Sequence, residues 1–303
     1  MRFEKWQALG NDYVIVDRAE LPFELTAQRV RKICARHVGV GADGVLLVAR
    51  EDRSHGGPEK GGARSNGAER AGSLRIFNPD GSEAELSGNG AREAALYMHR
   101  HSWSPHATFV IDTPAGEITP TIIDERTCTI ELGHAATSSE DFPGGPADGR
   151  SELAASGRVW HFQHVSIGNP QCSIEVEHPD ALEALELAVL GPPIEAHALF
   201  PNRTNVSWYA QLGDDRIRAR IFERGVGETL SSGTGAAGAA VAYALRSRGR
   251  ERTVTVLLDG GELRVRVGAD LLVDQTGWAQ QVYVGRLSAE LLAELERTDA
   301  DRG

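Results

Sequence analysis

Cysteine is scarce in this chain: Cys34, Cys128 and Cys172 are the only three in 303 residues. An odd number at these spacings builds neither a disulfide framework nor a zinc site, so all three read as reduced, packed thiols. No run of 18 or more apolar residues occurs, so the sequence offers no membrane-spanning helix. The opening MRFEKWQALGND has no apolar signal core after its charges. The expectation is a cytoplasmic protein with no membrane partner. Basic residues are in deficit, 32 Lys and Arg against 43 Asp and Glu, for a formal net charge of −11. Phosphate backbones demand concentrated positive charge, so nucleic acid is not expected and the partner should be a small molecule. The ten histidines show no metal-ligand spacing. The Gly-rich turns lack the spacing of a dinucleotide or P-loop site, and no lysine stands where a pyridoxal Schiff base would be expected. Neither cofactor nor metal is implied.

What the chain does contain is a repeat. Arg75–Ala91 reads RIFNPDGSEAELSGNGA and Arg220–Ala236 reads RIFERGVGETLSSGTGA, 145 positions later, with eight identities over 17 residues. The matches are Arg75/Arg220, Ile76/Ile221, Phe77/Phe222, Glu83/Glu228, Ser87/Ser232, Gly88/Gly233, Gly90/Gly235 and Ala91/Ala236. Each copy reads as a strand, then a Gly-rich turn, then a helix beginning near Gly90 or Gly235. Because the first N–H groups of a helix lack intrahelical partners and carry the positive end of its dipole, two such starts make an anion clamp. A weaker echo, Leu9-Gly10-Asn11 against Ile167-Gly168-Asn169, gives each half an Asn-bearing turn.

At 303 residues with 41% hydrophobic content, about two domains are expected. A hairpin opens the chain through residues 1–17, Thr26 caps a helix, and Val45–Ala49 is a strand. Glu51–Gly72 is almost without apolar residues and reads as an exposed, mobile insertion. Strands are expected near Thr108–Asp112, Glu117–Ile123 and Thr127–Leu132, followed by a polar stretch over Ala135–Gly157. The second half restarts at Arg158–Ser166, with strands near Cys172–Val176, Thr204–Tyr209, Arg252–Leu257, Glu262–Val267 and Gln281–Gly285. A last exposed helix starts at Ser288. The layout is two similar β-rich domains, each with one embedded helix.

The segments LGNDYVIVD (Leu9–Asp17), RHVGVGADGVLLV (Arg36–Val48), FNPDGSEAELSGNGAR (Phe77–Arg92), DTPAG (Asp112–Gly116), SIGNPQC (Ser166–Cys172), NRTNV (Asn202–Val206) and ERGVGETLSSGTGA (Glu223–Ala236) together resemble the diaminopimelate epimerase family, racemases that work without pyridoxal phosphate. The resemblance spans most of the chain in the family's order. It implies an α+β fold of two pseudo-symmetric β-barrel-like domains, each wrapped around a central helix, with the active site in the interdomain cleft. The first domain would hold residues 1–122 and 279–303, the second residues 123–278. Family members are often dimers, so a homodimer is expected.

In that family one cysteine from each half flanks the substrate α-carbon, one thiolate removing the proton and the opposite thiol delivering one. Here those positions hold Ser87 and Ser232, the candidate catalytic pair. A thiol titrates near 8.5 and a helix N-terminus lowers it, whereas an aliphatic hydroxyl does not ionise near neutrality. Gln171 stands after Gly-Asn-Pro where the family often has His, removing an imidazole base. The resemblance assigns Asn11, Asn78, Asn169, Asn205, Glu223 and Arg224 to the amino and carboxylate groups of an amino acid, and the backbone around Gly88-Asn89 and Gly233-Thr234 to the carboxylate at the reacting carbon. Read from the residues alone, the serines are equally good helix caps and the asparagines good turn residues. Glu83 and Glu228 are either tethers of the turn or substitute bases, while His37 and Asp43 read as structural.

Three functions compete. The first is an isomerase acting at the α-carbon of an amino acid or derivative, set in lysine biosynthesis if it follows the family. The second is a dehydratase, lyase or cyclising isomerase on the same clamp. The third is an epimerase silenced at both thiols, by nature or by Cys-to-Ser exchange, that binds without turnover.

Overall fold

In the computed structural model the described residues are 1–51, 68–84, 87–246 and 251–298. The chain divides into two compact units, Met1–Ile130 with Trp278–Gly303, and Glu131–Gly277. The first opens with the hairpin β1 (Arg2–Ala8) and β2 (Asn11–Asp17). Its turn holds Leu9 at φ 56 and Gly10 at φ 84, the two left-handed residues whose twist suits a two-residue hairpin. Then come α1 (Ala27–Cys34), β3 (Gly44–Arg50), β4 (Arg70–Phe77), β5 (Glu83–Ala84), α2 (Gly88–Arg100), β6 (Val110–Thr113), β7 (Gly116–Ile118) and β8 (Thr121–Ile122). The chain crosses the unit boundary within β9 (Thr127–His134).

The second unit holds β10 (Arg150–Ala155), β11 (Arg158–Ser166), β12 (Pro170–Glu175), α3 (Pro179–Glu183), α4 (Leu187–Glu195), β13 (Asn205–Gly213), β14 (Arg216–Glu223), β15 (Gly227–Thr229), α5 (Gly233–Arg246), β16 (Arg252–Leu258), β17 (Gly261–Val267) and β18 (Leu272–Trp278). β19 (Gln280–Arg286) and α6 (Ala289–Arg297) belong to the first unit again.

The strand orders repeat. One sheet runs β19-β1-β2-β3-β4-β6-β7 and the other runs β10-β11-β12-β13-β14-β16-β17 and on to β18, with β5 on β4 and β15 on β14. Pair for pair the senses agree: β2–β3 and β12–β13 are parallel, β4–β6 and β14–β16 are parallel, and β3–β4 and β13–β14 are antiparallel. Register agrees as well, with Phe77 opposite Glu83 and Phe222 opposite Glu228. The fold is α+β, two sheet-rich domains with few helices.

Each sheet wraps one apolar helix. α2 packs on β1 to β4, and α5 on β11 to β14, β16 and β17. Small residues permit this closeness: a Cβ on Gly235 would sit 2.8 Å from the Ile221 side chain, and at the matching Gly90 it would meet Leu46 at 3.1 Å. The first core joins Val14, Val16, Val30, Ile33, Val45, Leu47 and Phe77 to Leu287 and Leu295. The second gathers Phe142, Trp160, Phe162, Ile174, Phe200 and Trp208. Burying each such side chain contributes roughly 1.5–3 kcal/mol.

Several elements depart from the sequence reading. The polar stretch before residue 158 contains β10, which buries only Leu153 and Ala155, a pattern too short to show as alternation, and it also places Phe142 in the core. α3, α4 and β18 have no counterpart in the sequence reading; α4 carries Pro192 and Pro193, which mask a helix in sequence. Of the insertion expected over Glu51–Gly72, residues 52–67 lie outside the described residues, and Arg70–Gly72 already belong to β4. Among the described residues no helix is long and apolar enough to cross a membrane.

Candidate active site

In the first unit the site residues assemble at the start of α2. Ser87 is its N-cap, with extended backbone at φ −135, and its Oγ accepts the Gly90 N–H at 3.2 Å. The hydroxyl of Tyr13, on β2, donates to the same Oγ at 3.2 Å. Asn89 is buried and its Nδ2 donates to Asn11 Oδ1 at 3.2 Å, joining the hairpin turn to the helix start. Behind them, Asn11 Nδ2 donates to Asp43 Oδ2 at 3.2 Å, Arg36 donates to Asp43 Oδ1 at 2.7 Å, and Arg92 donates to Asn89 Oδ1. Burial raises the Asp43 carboxyl above its ordinary value, and desolvation of the fully buried Arg92 pulls its guanidinium down to about 10. Asp43 thus holds the Asn11 amide.

The second unit repeats the plan with different partners. Ser232 Oγ accepts the Gly235 N–H at 3.2 Å at the start of α5. Asn169 Nδ2 donates to Thr234 Oγ1 at 3.2 Å, and Thr234 is the repeat equivalent of Asn89. Gln171, fully buried, donates from Nε2 to Asn169 Oδ1 at 2.6 Å. Asn205 ties two turns together, giving Nδ2 to Pro170 O at 3.2 Å while its Oδ1 receives Arg224 N–H at 2.9 Å. The Arg224 guanidinium donates to Asn202 O at 2.9 Å, and buried Glu195 accepts Gly225 N–H at 2.6 Å and pairs with Arg203 at 2.7 Å. Desolvation pushes the Glu223 carboxyl above its ordinary range, while a hydrogen bond from the Ser232 hydroxyl draws it back. A serine beside a carboxylate of raised pKa is a proton-transfer arrangement.

Not every candidate joins these groups. Asn78 sits in the Asn78–Ser82 turn, with Nδ2 on Ser82 Oγ at 3.0 Å and its N–H on Ser82 O at 2.8 Å. Glu83 accepts both Nε and Nη2 of Arg75 at 2.8 Å, which holds its carboxyl below the usual range. Glu228 accepts both Nε and Nη2 of Arg220, at 3.1 and 2.5 Å. Each carboxylate is thus engaged by an arginine across its own turn. The three cysteines are buried and free, and burial pushes Cys34 up to about 11 and Cys128 up to about 12.

Two cavities lie elsewhere, at the carbonyl ends of the same helices. One of about 650 Å³ is lined by Arg150, Ser173, Glu175, Tyr209, Ala242 and Arg246; one of about 220 Å³ by Glu4, Tyr97, His101 and Trp103. His101 and Arg246 are repeat equivalents and each pairs with a strand carboxylate, Glu4 or Glu175. Arg246 is a cation at a helix C-terminus, which suits the dipole, and the carbonyl ends of helices are wrong for a substrate carboxylate. Sequence reasoning missed Tyr13, Arg92 and Glu195 as supports of the site. Arg92 lay in a quoted motif, but nothing in its spacing told of its contact.

Comparison with known proteins places the chain. The family profile described as Diaminopimelate epimerase matches residues 3–137 and 163–282. The diaminopimelate epimerase of a Synechocystis strain is 36% identical over 293 residues, covering 94% of this chain and 98% of that protein. Among solved structures, a PhzF-family phenazine biosynthesis protein from Bacillus anthracis aligns with a TM-score of 0.65 at 17% identity, covering 95% of this chain and 99% of that one. A hydroxyproline epimerase from Agrobacterium vitis, solved with trans-4-hydroxy-L-proline, aligns at 0.62 with 14% identity, covering 94% and 91%. At these identities the structures speak for the fold.

Proposed function

This chain belongs to the diaminopimelate epimerase family and is an enzyme of isomerase type, and we propose that it acts at the α-carbon of an amino acid or derivative without pyridoxal phosphate. The observation that carries this reading is the recurrence of one helix start in both units, each headed by a serine whose Oγ accepts the N–H three residues on, Gly90 or Gly235. Asn11, Asn169, Asn205, Glu223 and Arg224 are assigned to the amino acid, and the first-turn N–H groups around Gly88-Asn89 and Gly233-Thr234 to its carboxylate, while Asn78, held in its own turn, is left out. First-turn N–H groups stabilise the negative charge that grows there as the α-proton leaves. Diaminopimelate, the substrate in the relatives' name, is the first compound to try, which would place the enzyme in lysine biosynthesis. A cytoplasmic location fits that setting.

The test is α-hydrogen exchange in heavy water. Purified enzyme with LL-diaminopimelate, then a panel of amino acids, should incorporate deuterium at the α-carbon; total silence across the panel overturns the reading. If silence gives way to epimerisation when Ser87→Cys and Ser232→Cys are combined, the chain binds without turnover.

A second reading, elimination or a cyclising isomerisation, is favoured by the inequality of the two serines, since Ser87 has the Tyr13 hydroxyl on its Oγ and Ser232 has no such donor among the described residues. Such reactions need one proton abstraction. Product mass separates them, because loss of water changes it and epimerisation does not.

We also propose a homodimer. The edge strand β19 exposes Val282, Tyr283 and Val284 in succession, a patch that a second copy would cover. Val284→Lys should shift the sedimentation coefficient to that of a monomer.

A further inference from the structure

Ser87 has a chemical problem that the structure answers with one residue. An aliphatic alcohol that gives up its proton leaves an alkoxide, whose basicity lies far above that of a thiolate, so serine alone is a poor replacement for cysteine as proton donor. The Oγ of Ser87 already accepts the Gly90 N–H at 3.2 Å and the Tyr13 hydroxyl at 3.2 Å. With both lone pairs engaged and no acceptor for it among the described residues, its own proton is the group left for a ligand. Tyr13 is 6% exposed and sits on β2, two residues after the Asn11 turn, so its ring is fixed by the hairpin.

We infer that Tyr13 is a positioning residue and the proton reservoir of the Ser87 half-site: Ser87 passes its hydroxyl proton to the carbanionic α-carbon while its Oγ takes the Tyr13 proton. The balance is closed. One C–H bond and one Ser87 O–H bond form, one Ser87 O–H bond and the Tyr13 O–H bond break, and the charge that leaves the carbon ends as a phenolate. Water reprotonates that phenolate between turnovers. A phenol titrates near 10, so the relay ends on a far weaker base than an alkoxide. Ser232 is built otherwise: its Oγ accepts the Gly235 N–H at 3.2 Å, and among the described residues no phenol donates to it. Two serines that match in the repeat therefore differ in their partners, and Tyr13 belongs to the Ser87 side.

This inference rests on the proposed α-carbon chemistry, and the experiment keeps the two apart. Tyr13→Phe removes one oxygen and preserves the ring. With LL-diaminopimelate in heavy water, it should lower kcat for α-exchange by ~10²-fold or more, the ordinary worth of a positioned acid, with KM unchanged. In a Ser87→Cys background, where the thiol carries its own ionisable proton, the same Tyr13→Phe change should cost less than about 3-fold, well inside that range. Exchange by Tyr13→Phe equal to that of the unaltered enzyme sinks the relay and leaves the family reading standing. An equal loss in the Ser87→Cys background, or a rise in KM alone, marks Tyr13 as packing and also sinks it. An unaltered enzyme that neither exchanges nor binds the substrate removes both.

Discussion

The carboxylate of Glu83 is clasped by the Nε and Nη2 of Arg75, both at 2.8 Å, across the β4–β5 turn. The same clasp recurs between Arg220 and Glu228. It fixes the turn that delivers the chain to each serine, which is why both residues of the pair survive in both copies of the repeat. The two copies differ in surroundings: Arg75 is half exposed, whereas Arg220 is mostly covered and also donates to the carbonyls of Leu182, Glu183 and Leu185. Arg75→Ala should therefore cost ~0.5–1 kcal/mol, as exposed pairs do, and Arg220→Ala ~2–4 kcal/mol, since it strands three carbonyls and a carboxylate. Urea unfolding of the two variants checks the order.

Thiol reagents offer a second test. With every cysteine buried and Cys34 and Cys128 titrating at about 11 and about 12, almost no thiolate exists at pH 8. The native enzyme should resist iodoacetamide for hours and keep its activity, and all three thiols should react once it is unfolded. Rapid loss of activity would mean that a cysteine serves the site after all.

Glu93 predicts a pH dependence. It is fully buried on α2, and neither carboxylate oxygen has a hydrogen-bond partner among the described residues. Desolvation raises its pKa well above the ordinary 4.5. A raised acid binds its proton more tightly when folded, so its contribution to stability is complete below 4.5 and is lost as pH climbs toward the folded value. Stability should fall as pH rises above about 5, at up to about 1.4 kcal/mol per pH unit while the folded protein keeps a proton that the unfolded chain has released. Glu93→Gln should flatten that slope, as followed by urea midpoints.

Gln171 and Gly238 are predicted to fail together. A Cβ at Gly238 would lie 2.8 Å from Gln171 Cβ and Cγ. Gly238→Ala gains about 1 kcal/mol of helix propensity, yet displacing a buried side chain costs ~1–3 kcal/mol. Net destabilisation should follow, with KM raised because Gln171 no longer holds the Asn169 amide. Gln171→Ala should raise KM by roughly 5–10-fold, the worth of one such hydrogen bond. A normal KM in both variants would show that Asn169 needs no such support.

Glu223 separates stability from activity. Its ionised form is held where desolvation opposes it, so Glu223→Gln should stabilise the fold at pH 8 and give no gain at pH 4, where the carboxyl is already protonated. Exchange activity should be lost at both. Thermal unfolding at the two pH values, beside the deuterium assay, is the check.

Sequence alone determined what depends on near neighbours and on repetition. The 145-residue repeat announced a duplicated strand–turn–helix unit, Ser87 and Ser232 announced two helix starts, Thr26 and Ser288 announced caps, and strands such as Arg158–Ser166 stood where their alternation put them. The layout of two β-rich halves, each with one embedded helix, followed, because periodicity and capping act within a few residues. Short or masked elements escaped for the same reason: β10 buries two residues, and α4 hides behind two prolines. Only the tertiary structure decided the partners. Tyr13 meets Ser87 across 74 positions, Asn11 meets Asn89 across 78, and Asn169 meets Thr234 across 65. A hydroxyl's polarity is set by whichever group folding brings within about 3 Å of it, and no local pattern encodes that. Two serines indistinguishable in their repeat were thus given different neighbours, a phenol on Ser87 and none among the described residues on Ser232.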